Sequence, residues 1–306
     1  MKQSSQSPPS WQIFIVLSLG VVAISWSAIF IRLAIAASEK EGIGFSLFLA
    51  AARLILASVV VLPAWRKFKP TQTPKKALLF ALGAGISLAL HFATWITSLS
   101  FTSITASTTI VTTNPIWISL LLWLWFREKP AKLTLLGIAI ALGGGGLIAW
   151  GSAEGTEVGS NPLLGDGLAL LGAWCASLYL IWGREAQRQG LGTGVYIAIA
   201  YTSAALILAP LPFLFNTPYD GYSPWVYIYV LLMALFSQVL GHTSFNWSIR
   251  WLSPTLITLV ILLEPVGASL LGFFLFQEIP GLYVLTGAGV LLLGVILAVL
   301  GFKQPG

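Results

Sequence analysis

The chain has 306 residues, 57% of them hydrophobic and only 8% charged, where soluble domains carry about 25% charge. That composition excludes an ordinary globular protein and places the chain in a bilayer. The formal net charge of +6 sits in short loops between apolar runs, as membrane topology rather than nucleic acid requires, and the single cysteine, Cys175, excludes a disulfide framework or a cysteine metal cluster.

Residues 1–10 are polar, rich in Ser, Gln and Pro, and read as a disordered tail. Apolar runs follow at 11–36, 44–64, 77–98, 102–126, 132–150, 163–183, 193–215, 224–249, 254–276 and 280–302. About 20 residues of helix cross a bilayer core, so the pattern predicts an all-α membrane protein of ten transmembrane helices. Ala34, Ile35 and Ala36 offer a small-residue cleavage pattern, but the first run is too long, and its start too weakly basic, for a signal peptide.

Basic residues set the orientation. Lys2, the group Arg66, Lys67, Lys69, Lys75 and Lys76, then Arg127, Lys129 and Lys132, Arg184 and Arg188, Arg250 and Lys303 all fall on one side. The other side holds Lys40 with Glu39, Glu41, Glu154, Glu157, Asp166, Asp220 and Glu278. Both termini are therefore expected in the cytoplasm.

Residues 105–144 recur at 255–294: at an offset of 150 and without a gap, 13 of 40 residues coincide, among them Pro115/Pro265, Glu128/Glu278, Pro130/Pro280, Gly137/Gly287 and Gly144/Gly294. The repeats are taken as 11–150 and 163–302. Five helices each is an odd number, so the second copy starts on the opposite side of the membrane and the two are inverted. Inverted repeats build secondary transporters, with a midplane site between halves that rock in alternating access. No loop is long enough for a soluble domain, and no Walker-type lysine motif appears. Gly143–Gly146 lies inside the fifth helix as a packing feature, so ATP hydrolysis and a cofactor are not expected.

Ionisable residues inside membrane helices are costly and mark sites. Arg53 and Glu264 each lie midway along a run, where they can pair as a structural lock, or serve transport with Glu264 taking up a coupling proton. His91 and His242 are the only histidines, 151 positions apart, and the inverted topology puts them at opposite depths. Ser87, His91 and Trp95 share one helix face, and Gln238, His242 and Asn246 another, so both stripes are expected to face a cavity. The fourth helix is hydroxyl-rich, with Thr102, Ser103, Thr105, Ser107, Thr108, Thr109, Thr112 and Thr113. Asn114 precedes Pro115 where Glu264 precedes Pro265, and each proline frees the carbonyl four residues back, Val111 or Ile261. Trp26 and Trp174 hold matching places and are expected to line the central space. Gly165, Ala169, Ala173 and Ser177, with Gly137, Ala141 and Gly145, are spaced for close helix approach.

On these residues the chain resembles the EamA branch of the drug/metabolite transporter superfamily. The likeness runs through essentially the whole chain as two EamA repeats. It is carried by Arg53-Leu54, by His91 to Ser98 followed by Thr105 to Pro115, by Phe126-Arg127-Glu128-Lys129-Pro130, and by Glu264-Pro265 and Phe276-Gln277-Glu278. The resemblance implies a bundle in which helices one to four and six to nine surround a cavity, with five and ten outside and Glu128 and Glu278 as structural helix ends. It also implies an exporter of small metabolites, amino acids first, with multidrug efflux as the alternative and a non-transporting scaffold or receptor behind both. No enzyme chemistry is expected, because two histidines at opposite depths supply no nucleophile and base. The expected partners are a small-molecule substrate, the lipid bilayer and protons, with no nucleic acid. The expected location is the plasma membrane, the inner membrane of a bacterium. Oligomeric state is not encoded in these signals.

Overall fold

The computed structural model describes residues 8–38, 40, 42–102, 107, 110–153, 160–277 and 281–301. Every regular element among them is helical: α1 (Ser10–Ser38), α2 (Ile43–Val60), α3 (Lys75–Ser98), α4 (Asn114–Phe126), α5 (Lys132–Ala153), α6 (Pro162–Arg188), α7 (Thr193–Leu208), α8 (Pro224–Ser248), α9 (Pro254–Phe276) and α10 (Leu282–Leu300). Two are interrupted. α8 is π-helical over Met233–His242, and α9 turns at Leu262 and Leu263 before resuming at Glu264. Among the described residues, seven spans are long and apolar enough to cross a membrane, while Asn114–Phe126, Lys132–Leu147 and Leu285–Ala298 are shorter apolar helices. The chain is a multi-pass membrane protein. Its outer surface agrees: Phe14, Leu79, Leu206 and Phe274 are exposed, and alanine-rich faces such as Ala50–Ala52 are buried.

α5 and α10 lie along each other, apart from the main core. A Cβ built on Gly137, Gly144 or Gly294 would strike the backbone of Ala298, Leu291 or Ala141, whereas Gly143, Gly145 and Gly146 face open space. The expected stripe is thus corrected to Gly137, Ala141 and Gly144, because one face of a 3.6-residue helix advances by alternating fours and threes. On α6, Gly165, Ala169, Ala173 and Ser177 are all buried, on the helix that packs along α3. α1 runs along α8, with Gly20 against Phe245 and Gly241 against Ile24.

α4 and α9 end alike, on the non-glycine residues Arg127 (φ 56°) and Gln277 (φ 57°) in the left-handed conformation. At the end of the bundle that carries most of the basic residues, Arg184 of α6 donates to both carboxylate oxygens of Glu128, at 2.8 and 3.0 Å. There the α4–α5 and α8–α9 junctions leave a vestibule of about 580 Å³. At the opposite end Thr102 donates to Asp166 at 2.9 Å, and the Asn161 N–H donates to the Phe101 carbonyl at 3.1 Å. Of the hydroxyl-rich stretch, Ser103, Thr105, Thr108 and Thr109 lie outside the described residues, as do Glu39, Glu41, Glu154, Glu157 and Glu278.

Candidate functional site

A cavity of about 70 Å³ lies inside the bundle, lined from α1, α2, α3, α6, α8, α9 and the stretch entering α4. α5 and α10 contribute none of the described lining residues, and α7 supports the wall from behind.

Arg53 comes from the middle of α2 and is 1% exposed. Its guanidinium donates to Gln238 Oε1 at 3.1 Å and to Ser27 Oγ at 3.4 Å, and lies 4.2 Å from the centre of the Phe92 ring. All three partners are neutral, and its Nε–H has no partner. The expected pairing with Glu264 is corrected here. Both line the cavity, but no ion pair joins them among the described residues; the guanidinium is turned to Gln238, Ser27 and Phe92, with its Nε–H left over.

Gln238 stands on the π-helical segment of α8, whose altered bonding leaves room for a side chain at its carbonyls. Its backbone carbonyl accepts from Tyr201 of α7 at 3.2 Å, and the same hydroxyl lies 3.2 Å from Thr243 Oγ1.

His91 and His242 line the same cavity, with Phe92 in contact with both rings. Each lies only one to two turns from the middle of its helix, close enough for one cavity to reach both. His91 Nδ1 is 2.9 Å from the Gly172 carbonyl. A carbonyl only accepts, so Nδ1 carries a proton and donates it to Gly172. The His91 ring stacks on Trp95 at 5.7 Å, and the Trp95 indole N–H has no partner.

Asn114 reads best with its amide nitrogen donating to the Val111 and Ala173 carbonyls, each at 2.9 Å. Val111 is the carbonyl that Pro115 leaves without its helical N–H, so the side chain completes the kink and ties it to α6. Glu264 occupies the corresponding place on α9 and lines the cavity, and its carboxylate has no hydrogen bond or ion pair among the described residues. Its main-chain carbonyl accepts from Ser25 of α1 at 3.4 Å. Pro265 follows it at the restart of the helix.

Five residues expected to face the cavity do not line it; of these, Ser87 is buried and Gln238 is spent on Arg53. Trp174 is 45% exposed and meets Trp117 edge-on at 5.3 Å, because the cavity side of α6 is presented by Ala176, Tyr179 and Leu180. Trp26 stacks on Phe30 at 5.4 Å, one turn along α1, while Ile24 and Ser27 reach the cavity. Asn246 is buried behind the wall, donating to the Tyr179 hydroxyl and accepting at its carbonyl from Gln187 at 2.8 Å. Phe92, Tyr179 and Tyr201 were not singled out by their sequence. Their signal was the presence of aromatic and phenolic groups deep inside apolar runs, away from the interfaces where such residues usually anchor. No group of three or more His, Cys, Asp or Glu among the described residues can hold a metal.

Residues 10–150 and 163–300 each match the model of the EamA-like transporter family. An uncharacterized transporter of Synechocystis sp., sll1319, is 28% identical over 70% of this chain. The match spans 65% of that relative, less than two thirds of its length. Two uncharacterized transporters of Bacillus subtilis, YxxF and YyaM, are 23% and 27% identical, over 76% and 75% of this chain and 73% and 75% of their own. A crystal structure superposes at TM-score 0.78 and 15% identity, covering 94% of this chain and 96% of its own, a likeness of fold.

Proposed function

Since the chain belongs to the EamA-like transporter family, we propose that it is a secondary transporter that exports small metabolites, amino acids first among them, by alternating access through the central cavity. The observation that carries this reading is Arg53, a buried cation held by neutral groups with an unpartnered N–H, on the same cavity as Trp95, whose indole N–H is also unpartnered. A charge so placed is costly and gains most from an arriving anion. A substrate carboxylate supplies one, and the Tyr179 ring on the cavity wall suits an ammonium group.

Alternating access is supported by the repeat. The two copies share 13 of 40 residues and the same left-handed helix ending. Inverted five-helix units, making ten crossings, also account for the packing, since exchanging the halves turns the α1–α8 pair into α6–α3 and maps α5–α10 onto itself. With the basic end in the cytoplasm of a plasma membrane, the wide vestibule there makes this an inward-leaning state with a nearly closed centre. Proteoliposomes preloaded with a panel of labelled amino acids test the reading. Protein-dependent efflux of at least one is expected. Movement of lipophilic cations alone would move the assignment to drug efflux, and no movement of any solute would end it.

A further inference from the structure

The two halves differ at one chemically decisive place. In the first, Asn114 spends its amide N–H groups on the Val111 carbonyl, freed by Pro115, and on the Ala173 carbonyl of α6. In the second, Glu264 precedes Pro265, Ile261 is the carbonyl that the proline frees, and the place of α6 is taken by α1, against which α9 packs through Ser25 and Gly267. A carboxylate has no hydrogen to give to a carbonyl; a carboxylic acid has one. An ionised Glu264 is instead drawn to the free Nε–H of Arg53, which lines the same cavity.

We propose that Glu264 is a proton-binding site, whose acid form docks on the freed Ile261 carbonyl through its single O–H, closing the α9 kink as Asn114 closes the α4 kink, while its ionised form is released toward Arg53. One proton binds the carboxylate in the docked state and leaves on release, so one proton accompanies each cycle. The groups facing Glu264 across the cavity are Arg53 of α2, His91 of α3, Tyr179 of α6 and His242 of α8, with Asn114 on the α4 side. Of these, Arg53 is the cation that the released carboxylate meets, and the Ile261 carbonyl is the acceptor for the acid's O–H. α1 brings only Ser25 and Ser27 to this level, and its Arg32 lies farther along, over the Phe276 ring at 4.3 Å.

The coupling rests on the transport reading, and two measurements separate them. Infrared difference titration of the purified protein in nanodiscs reads the carboxyl without any substrate. A titrating acid carbonyl band is expected, absent in Glu264→Gln and doubled in the near-isosteric Asn114→Asp, which recreates the switch in the first half. A titration unchanged by Glu264→Gln overturns the site. In proteoliposomes, the wild type is expected to accumulate substrate against its gradient under a pH gradient, while Glu264→Gln loses accumulation with substrate exchange still measurable. A wild type whose flux ignores the pH gradient, or a Glu264→Gln protein that accumulates as the wild type does, overturns the coupling. Absence of transport in every preparation counts against the transporter assignment and leaves the infrared result to judge the proton site.

Discussion

Arg53 of α2 and Gln238 of α8 meet at 3.1 Å, and the backbone carbonyl of the same glutamine accepts from Tyr201 of α7. A cation on one helix is thereby held through a π-helical turn of a second and a phenol of a third. Gln238→Leu leaves the guanidinium short of a partner, while the backbone carbonyl still accepts from Tyr201, a loss of about 1–3 kcal/mol. Thermal unfolding in detergent, compared with the wild type, measures it.

Gln238→Glu should act differently. A carboxylate at that place gives Arg53 a permanent counter-ion, so stability should hold while affinity for an anionic substrate falls by roughly tenfold or more. Binding measured in the same detergent, beside the unfolding midpoint, separates the two effects.

Arg53→Lys keeps the charge and loses the planar fork that spans Gln238 and Ser27. Transport should drop at least about tenfold, with the protein still folded. Flux near the wild-type level in a correctly inserted Lys variant would remove Arg53 from the substrate path.

The seam between α5 and α10 gives a paired test. Gly144→Ala forces a methyl against the Leu291 backbone and should cost about 1–3 kcal/mol, whereas Gly143→Ala, one residue away and facing open space, should be neutral or slightly stabilising. Unfolding midpoints of the two variants decide it.

Glu128 and Arg184 form a two-bond ion pair at the basic end, with side chains 38% and 13% exposed. Partial solvation limits its worth, so a double-mutant cycle through Glu128→Gln and Arg184→Gln should give a coupling of about 1 kcal/mol, weakening as salt is added.

The apolar runs and the repeat were legible because bilayer thickness and duplication leave signals in one dimension. The pairing of helices was partly legible too: small residues on α6 mark a buried face from spacing alone. What failed were statements about direction. Trp174 and Trp26 sit at matching positions, but a rotation of one or two residues turns a side chain out of the cavity, and apolar surroundings hide that rotation from the sequence. The glycine seam shifted from Gly145 to Gly144 for the same reason. Arg53 and Glu264 looked like natural partners because charge is visible in sequence, and a glutamine, a serine and a phenyl ring competing for the same guanidinium are not.

The most direct test of transport through this cavity is accessibility from the two membrane faces. Ser27→Cys, made in a Cys175→Ser background, places a thiol on the cavity wall beside Arg53. A membrane-impermeant thiol reagent applied in turn to each side of oriented vesicles should label it from both, with a transported amino acid slowing the labelling. Labelling from one side only, with no protection by any transported solute, would contradict alternating access through the central cavity.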